Sequence, residues 1–242
     1  MTKTVTPYNK KDETKKEQVE NMFDNIAHNY DFLNHLLSAG IDNTWRRKAI
    51  KHIATYNPKM VMDMASGTGD FAVDTVNRIK LDKLVALDLS DKMLDVGRQK
   101  SAKKGIKNID WVKGDSEDLS FEDNTFDAMT VGFGVRNFGN LEKGLSEMRR
   151  VLKDGSPLVV LEVSEPDKFP MKQIFGIHFN YILPFVGKVF SKDSRAYNYL
   201  PESVQAFPRG NDFVEILKKV GYKKVEYKPL TFGICAMYTC EK

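Results

Sequence analysis

Short apolar segments alternate with segments of helical periodicity along most of this 242-residue chain, and the alternation limits its folds more than any other feature. Five apolar segments are predicted to be buried strands, at residues 59–63, 83–88, 109–113, 126–131 and 157–162. Helical spacing of apolar residues is found at residues 19–30, from 44 onward, and at 70–80, 91–104 and 140–152. Apolar strands that alternate with helices of about 10 to 15 residues are typical of a parallel sheet covered on both faces. The sequence therefore predicts an α/β fold.

The pattern changes in the C-terminal part of the chain. Residues 171–190 are rich in aromatic side chains, and 211–221 are predicted to form a helix. Two further strands, 222–227 and 232–238, are joined across Pro229 and are too close in sequence for a helical crossover. They must pair antiparallel or lie apart. With pairing, the fold is a mostly parallel seven-stranded sheet with a C-terminal antiparallel hairpin and an N-terminal helical extension.

Composition and charge exclude several classes of protein. Hydrophobic residues make up 41% and charged residues 29% of the chain, which excludes wholesale disorder. The net charge is only +4, and the lysines and arginines do not cluster into a basic stripe, so a nucleic-acid-binding protein is not expected. No run of about 18 apolar residues could span a bilayer, and the N-terminus lacks the apolar core of a secretion signal. We therefore expect a soluble, cytoplasmic protein.

The two cysteines, Cys235 and Cys240, are expected to stay reduced. At their spacing on a strand they would point to opposite faces of the sheet and could not pair with each other. The sequence has no C-x-x-C motif and no His/Cys cluster at metal spacing, so no metal site is expected.

A glycine-rich turn follows the first strand, in the sequence Asp63-Met-Ala-Ser-Gly67-Thr-Gly69-Asp70-Phe-Ala72. Glycines there let the backbone approach a ligand, and the next helix N-terminus offers unpaired N–H groups. Gly67-x-Gly69-x-x-Ala72 satisfies the dinucleotide fingerprint, with Asp88 about twenty residues further on to hold ribose hydroxyls. A nicotinamide-dependent oxidoreductase and a turn without a ligand are therefore two open interpretations.

Three features favour S-adenosylmethionine over a dinucleotide. Asp63 and Asp70 flank the glycines, where carboxylates would repel a pyrophosphate but suit the ammonium and sulfonium groups of this cofactor. The third strand is followed by Asp115, an acid that an adenine amine could meet. The chain also closes with a hairpin, as Rossmann-like methyltransferases do, whereas a dehydrogenase usually adds a separate substrate domain.

Four further blocks occur between about residue 19 and the end of the chain. They are Tyr30-Asp31-Phe-Leu-Asn34-His-Leu-Leu-Ser38 with Trp45-Arg46, Gly132-Phe-Gly134-Val-Arg136-Asn137-Phe, Arg150-Val-Leu-Lys153-Asp-Gly155 through Glu162-Val-Ser164, and Tyr197-Asn-Tyr-Leu-Pro201-Glu-Ser203 through Phe207-Pro208. Together they resemble the menaquinone/ubiquinone biosynthesis C-methyltransferases. The resemblance implies a Rossmann-like class I S-adenosylmethionine-dependent methyltransferase that methylates a ring carbon of a polyprenylated quinol. Demethylmenaquinol, converted to menaquinol in the last step of menaquinone biosynthesis, is the expected substrate, and a ubiquinone precursor is the alternative.

The chain departs from the family pattern at three places. The family usually has Cys where Ser66 stands, His where Asp42 stands, and Pro-Gly-Gly where Asp154-Gly155-Ser156 stands. None of these departures removes a group to which a role is assigned, but they bear on the choice of ring substrate.

We treat residues 19–242 as one methyltransferase domain after a flexible tail, 1–18, in which five lysines oppose three acidic residues. The predicted parts of the domain are N-terminal helices at 19–57, a cofactor-binding core at 58–165, a substrate and lid segment at 166–210, and a C-terminal helix and hairpin at 211–242. The resemblance implies that Thr68, Ser116 and Gly132 also contact the cofactor, so the residues expected to bind S-adenosylmethionine are Asp63, Gly67, Thr68, Gly69, Asp88, Asp115, Ser116 and Gly132. Those expected to bind substrate are His178, Tyr197 and Tyr199.

Three residues are expected to act in catalysis. A ring carbon is a poor nucleophile until the neighbouring hydroxyl, with a pKa of about 10, loses its proton. Arg136 is expected to stabilise the phenolate and Asn137 to orient the quinol oxygen, since both follow the fourth strand, where open α/β proteins bind ligands. Tyr30 is expected to close over the methyl donor. The alternatives are a loop-fixing salt bridge for Arg136 and a core position for Tyr30.

Residues 174–190 are too interrupted by polar residues and proline to span a membrane. Their aromatic side chains, with Lys172, Lys188 and Lys192, suit an interfacial helix that meets a prenyl tail, and a core helix pair under a lid is the alternative. The expected partners are a polyprenyl quinol, the inner face of the membrane as a peripheral contact, and a second copy of the chain in a homodimer, without nucleic acid.

Overall fold

Seven strands form one mixed sheet in the computed structural model, which describes residues 5–38, 40–177, 179, 181 and 194–242. The strands are β1 (Met60–Met64), β2 (Lys83–Asp88), β3 (Ile109–Lys113), β4 (Ala128–Gly132), β5 (Pro157–Val163), β6 (Lys223–Leu230) and β7 (Cys235–Glu241). Their order across the sheet is β3-β2-β1-β4-β5-β7-β6. Strands β1 to β5 are parallel, whereas β7 runs antiparallel to both β5 and β6. The predicted seven-stranded sheet with a C-terminal antiparallel hairpin is confirmed.

Helices connect and cover the strands. They are α1 (Lys15–Ser38), α2 (Asp42–Ala54), α3 (Asp70–Val76), α4 (Asp91–Lys103), α5 (Leu141–Val151), α6 (Met171–Ile177), α7 (Ser194–Ala206) and α8 (Asn211–Val220). Helix α4 begins where the Ser90 hydroxyl accepts a hydrogen bond from the backbone N–H of Met93, at 3.1 Å. Helix α8 ends at Gly221, whose φ of 102° suits a residue without a Cβ. Within the described ranges, no helix combines the length and apolar character that crossing a bilayer requires.

Both faces of the sheet are buried. On one face, α2 and α3 pack with Ile50 and Phe71. On the other face, α5 and α8 pack with Leu145 and Phe213. The central strands are therefore apolar on both sides, as a parallel sheet between two helix layers requires.

The two cysteines of the C-terminal hairpin lie as predicted, but the turn of the hairpin does not lie at Pro229. Cys235 and Cys240 are free thiols that belong to the apolar cores on opposite faces, which confirms that they point apart. Pro229 lies inside β6, and the connection is a 3-10 turn at Thr231–Gly233. The sheet tolerates this proline because β6 is an edge strand, where a missing N–H can face solvent.

Helix α1 begins at Lys15, inside the predicted tail of residues 1–18. Gln18 is fully buried, and its side chain accepts a hydrogen bond from the backbone N–H of Tyr8 (3.0 Å) and donates one to the carbonyl of Lys10 (2.9 Å). The predicted boundary therefore falls within the first turn of α1. Apolar periodicity missed this turn because a polar side chain binds it to the preceding chain.

Candidate active site

Two cavities open side by side at the carboxyl edge of the parallel strands. A narrow cleft with a volume of about 70 Å³ lies under α1, at the ends of β2, β3 and β4. A larger cavity with about 470 Å³ lies beside the ends of β1 and β4 and reaches α2 and α6. The residues that line both are Tyr30, Ala65, Gly67, Gly132 and Phe133. Molecules held in the two cavities would meet at this shared wall.

Asp88 ends β2 and holds the turn that follows β1. Its Oδ2 accepts a hydrogen bond from the backbone N–H of Gly67 (2.8 Å), and its Oδ1 accepts one from that of Ser90 (2.9 Å). Burial raises the pKa of Asp88 to about 6. Each carboxylate oxygen has a further lone pair, and Asp88 lines the narrow cleft. It can therefore accept hydrogen bonds from ligand hydroxyls.

The remaining walls of the narrow cleft fit a positively charged nucleoside derivative. Gly67 has a φ of 55°, and an added Cβ would lie 3.9 Å from Cε1 of Tyr30, in the gap between turn and helix. Asp115 and Ser116 follow β3 on the opposite wall. Two carboxylates, a hydroxyl and a backbone cradle match the hydroxyl, amine and sulfonium groups of S-adenosylmethionine.

Helix α1 lies across this cleft and is held by polar contacts along its length. The contacts join Lys16 to Asp115, Asp24 to Ser90, and Asp31 to Thr68 and Lys100. At the start of the helix, the Lys15 ammonium donates to the carbonyls of Arg136 and Phe138, at 2.9 Å each. Burial and the charge of Arg136 lower the pKa of Lys15 to about 8. Helix α1 thus covers the cleft and holds the loop after β4.

The larger cavity is lined by both polar and apolar side chains. The polar ones are Asp42, Arg46, Asp63, Ser66, Thr68, Asp70 and Arg136. The apolar ones include Val163, Met171, Ile174, Phe175, Phe179, Leu200 and Ile234. This mixed lining suits a molecule with a polar ring and a long hydrocarbon substituent.

Asp63 is one of the polar residues of the larger cavity, and its carboxyl group is buried. Only 1% of the residue is exposed, and its Oδ1 accepts a hydrogen bond from the Thr130 hydroxyl at 2.7 Å. Burial, together with the charge of Asp88, raises the pKa of Asp63 to about 7, although the hydrogen bond from Thr130 lowers it. This carboxyl can therefore change its protonation state near neutral pH.

Arg136 reaches the larger cavity from the loop after β4. Its Nη1 donates to Oε1 of Glu162 at 2.6 Å and to the carbonyl oxygen of Phe133. Both side chains of this ion pair are buried. The salt bridge considered as an alternative role for Arg136 is present, and Arg136 nevertheless lines the cavity.

The family model of the ubiE/COQ5 methyltransferase family matches residues 11–242 of this chain. The chain belongs to this family. A demethylmenaquinone methyltransferase of Bacteroides fragilis is 50% identical over 239 residues, which cover 98% of this chain and 97% of the relative. A ubiquinone/menaquinone biosynthesis C-methyltransferase of Geotalea daltonii is 41% identical over 94% of this chain and 97% of the relative. The resemblance carried by the sequence blocks is confirmed, and the nicotinamide-dependent alternative is set aside.

A solved structure supports the fold of this family member. A SAM-dependent methyltransferase of Aquifex aeolicus superposes with a TM-score of 0.57 at 19% identity, covering 81% of this chain and 88% of that one. A likeness at this identity shows the fold alone. It confirms the Rossmann-like class I methyltransferase fold.

The structure distributes the residues predicted to bind the cofactor over both cavities. The predicted residues that line the narrow cleft are Gly67, Asp88, Asp115, Ser116 and Gly132. Asp63 and Thr68 line the larger cavity instead. Gly69 lines neither of these two cavities. An added Cβ would lie 2.1 Å from the indole of Trp111, so close packing against Trp111 explains why a glycine stands at this position.

The predicted catalytic and substrate residues are also separated. Tyr30 lies on the shared wall, whereas Asn137 lines the narrow cleft and accepts a hydrogen bond from the Tyr199 hydroxyl at 3.1 Å. Tyr199 itself is buried against α1, and burial raises its pKa to about 12. Tyr199 lines neither of the two cavities, and its role in substrate binding stays a prediction. His178 and the side chain of Tyr197 lie outside the described residues.

Among the residues of the larger cavity that had no assigned role are Arg46 and Trp45, which stand in a sequence block that this family shares. Arg46 is buried and pairs with Asp42 at 2.5 Å and with Asp74 at 3.0 Å. Trp45 donates from its indole N–H to the Thr231 hydroxyl at 2.7 Å. Asp42 stands one helical turn before Arg46, and this i, i+4 spacing in the sequence indicates the ion pair between the two.

Proposed function

We infer that this chain transfers a methyl group from S-adenosylmethionine to a ring carbon of a polyprenylated quinol, with demethylmenaquinol as substrate. The observation that carries the inference is the junction of a nucleoside-compatible cleft with a large, mainly apolar cavity. The name of the 50% identical relative supports the menaquinone pathway. A ubiquinone precursor is the second candidate, because the name of the 41% identical relative includes that pathway.

The residues of the narrow cleft would hold the cofactor, which supplies an electrophilic methyl group when bound. Asp88 would accept hydrogen bonds from the ribose hydroxyls, and Asp115 with Ser116 would bind the adenine end. Gly67 and Gly132 allow close approach at the shared wall, where Tyr30 covers the reacting groups. Helix α1 would exclude water from the cleft, and the closed site would strengthen the electrostatic interactions within it.

Arg136 would stabilise the deprotonated quinol. Its guanidinium is held by Glu162, so its position is fixed before the substrate arrives. A preorganised cation near a developing phenolate lowers the energy of the charged species and costs no reorganisation during the reaction. Since methyl transfer mainly requires alignment of donor and acceptor, the fixed loop after β4 is a suitable support.

The test is incubation of the purified chain with S-adenosylmethionine and chemically reduced short-chain demethylmenaquinone, followed by mass spectrometry. We expect the quinone to gain one methyl group, and we expect Arg136→Lys to reduce the rate at least tenfold because a lysine cannot keep the guanidinium geometry. Arg149→Lys, which alters an arginine outside both cavities, is the matched control. No gain of a methyl group, with S-adenosylhomocysteine still raising the melting temperature, would redirect the search to other acceptors. Near-normal turnover of Arg136→Lys with unchanged cofactor affinity would exclude the electrostatic role.

We also propose that the mouth of the larger cavity contacts an anionic membrane surface, while the homodimer stays a prediction. Phe169, Ile177 and Tyr181 are 82%, 57% and 73% exposed, close in sequence to cavity residue Ile174. Lys168 and Lys172 are exposed among them and would favour anionic lipid.

Co-sedimentation with phosphatidylglycerol-containing vesicles tests this contact. We expect the wild-type chain to bind and the double variant Phe169→Asp with Ile177→Asp to bind at least fivefold less, because charges replace apolar contacts. Tyr56→Ser removes an exposed aromatic side chain far from the cavity mouth and is the control. If the wild type does not bind the vesicles, or if all three proteins bind equally, the proposed membrane contact is excluded.

A further inference from the structure

Left-handed backbone is concentrated on the wall that the two cavities share. Of the five described residues that line both cavities, Ala65, Gly67 and Phe133 have positive φ values of 52°, 55° and 60°. This conformation is uncommon for a residue with a side chain and is an outlier for a large one. Such strain persists only where the surrounding structure enforces it, and it clusters at ligand sites. Phe133 is therefore the residue of this wall whose conformation most needs an explanation.

The turn that contains Phe133 is held by its neighbours. The backbone N–H of Phe133 donates to the carbonyl of Leu161 on β5 at 2.7 Å, and the Phe133 carbonyl accepts from Nη1 of Arg136. An added Cβ on Gly134 would lie 2.5 Å from the Cβ of Ala65, so the turns after β1 and β4 pack tightly against each other. These contacts maintain the left-handed conformation of Phe133.

The aromatic ring supplies the exposed part of Phe133. The residue is only partly buried, and both of its backbone polar groups are hydrogen-bonded within the protein. Its ring meets the indole of Trp45 edge-on, with 6.0 Å between the ring centroids and an interplanar angle of 61°. Trp45 lines the larger cavity, and Thr231 fixes its indole through the hydrogen bond described above. A preformed aromatic surface thus stands where the methyl donor and the acceptor would meet.

We propose that Phe133 binds the ring of the quinol and orients its reactive carbon toward the methyl donor. The proposal rests on the proposed function and adds a residue that positions the acceptor. An aromatic side chain binds a flat ring through stacked or edge-on contacts, and a side chain that is already fixed loses little freedom when the ring binds. Because methyl transfer depends on alignment of the reacting atoms, a quinol ring tilted away from the donor would react slowly. The left-handed turn serves this role by bringing Phe133 to the shared wall.

The first experiment compares Phe133→Leu and Phe133→Tyr with the wild type in the methylation assay. Leucine keeps an apolar side chain on the same backbone but removes the flat ring, whereas tyrosine keeps the ring. We expect Phe133→Leu to lower kcat/KM for the quinol at least tenfold, while its affinity for S-adenosylhomocysteine changes less than twofold. We expect Phe133→Tyr to stay within threefold of the wild type.

Phe121→Leu is the matched control. Phe121 is also partly buried and meets Phe126 edge-on, with 5.2 Å between the centroids, but it lines neither of the two cavities. Its replacement should leave kcat/KM for the quinol within twofold of the wild type. Two results for Phe133→Leu would overturn the proposal. One is an unchanged kcat/KM, and the other is a parallel loss of quinol affinity, S-adenosylhomocysteine affinity and melting temperature, which a merely structural role predicts.

A binding experiment separates this role from the proposed reaction. The probe is 2,3-dimethyl-1,4-naphthoquinone, which has no free position on its quinone ring to methylate and quenches indole fluorescence. Of the two tryptophans, Trp45 lines the larger cavity, so its quenching in the presence of S-adenosylhomocysteine reports binding there. We expect Phe133→Leu to bind the probe at least tenfold more weakly than the wild type and Phe133→Tyr to bind it normally.

The outcomes of the binding experiment are distinct. No quenching in the wild type, or equal affinity in the wild type and Phe133→Leu, would overturn the role of Phe133. Binding that depends on Phe133, in a chain that does not methylate demethylmenaquinol, would support the ring-binding role and reject the proposed substrate.

Discussion

Replacing Glu162 by alanine is expected to lower the free energy of unfolding by about 3 to 5 kcal/mol, because it leaves the buried charge of Arg136 without its counter-ion. The two side chains are 1% and 8% exposed, and the Nη1–Oε1 distance is 2.6 Å. Urea denaturation of the wild type and the variant at one pH measures the difference.

An exposed ion pair is the matched control for Glu162. Glu142 and Lys219 are 49% and 67% exposed, so Glu142→Ala should cost less than about 1 kcal/mol. The double variant Arg136→Met with Glu162→Leu should be more stable than Glu162→Ala, since it removes both charges. A loss below about 1 kcal/mol for Glu162→Ala would mean that Arg136 is solvated in the folded chain.

Gly69→Ala is expected to lower the free energy of unfolding by about 3 kcal/mol, as the sum of two effects. An added Cβ would lie 2.1 Å from Cη2 of Trp111, and relieving such an overlap costs about 1 to 3 kcal/mol. The φ of 78° adds about 1 to 2 kcal/mol for a residue with a side chain. Denaturant unfolding, followed by circular dichroism, measures the change.

Two other glycines separate the contributions. Gly105 has a φ of 67° with nothing within 4 Å of an added Cβ, so Gly105→Ala isolates the backbone effect. Gly97 lies inside α4 without a left-handed φ, and its Cβ would lie 2.3 Å from the Trp111 ring, so Gly97→Ala measures the overlap minus the gain of about 1 kcal/mol that alanine brings to a helix interior. Equal losses for Gly69→Ala and Gly105→Ala would show that Trp111 moves aside freely, against the packing explanation.

The regular elements could be predicted because their signals are local. Side chains repeat at a period of two in strands and about 3.6 in helices, so a short window of sequence identifies each element. The opposite orientations of Cys235 and Cys240 follow from their spacing alone. The first turn of α1 could not be found in this way, because Gln18 stabilises it through hydrogen bonds to earlier backbone.

The candidate site could be predicted in part, for a topological reason. Parallel strands bring their carboxyl ends to one edge, so Asp88 and Asp115 were expected there from the strand assignments, and Gly132 was expected there from the family resemblance. The cavity that each side chain faces was not predictable. Asp63 faces the larger cavity beside Thr130 of the neighbouring strand, and packing against α1 buries Tyr199.

The sequence by itself determined the order of elements, the family and the edge of the sheet where ligands would bind, since these depend on residue types and short spacings. Only the tertiary structure decided the pairing of Arg136 with Glu162, the contact of Gly69 with Trp111, and the division of the edge into two cavities. Each of these joins segments far apart in the chain, and their distances are set by strand order and helix packing.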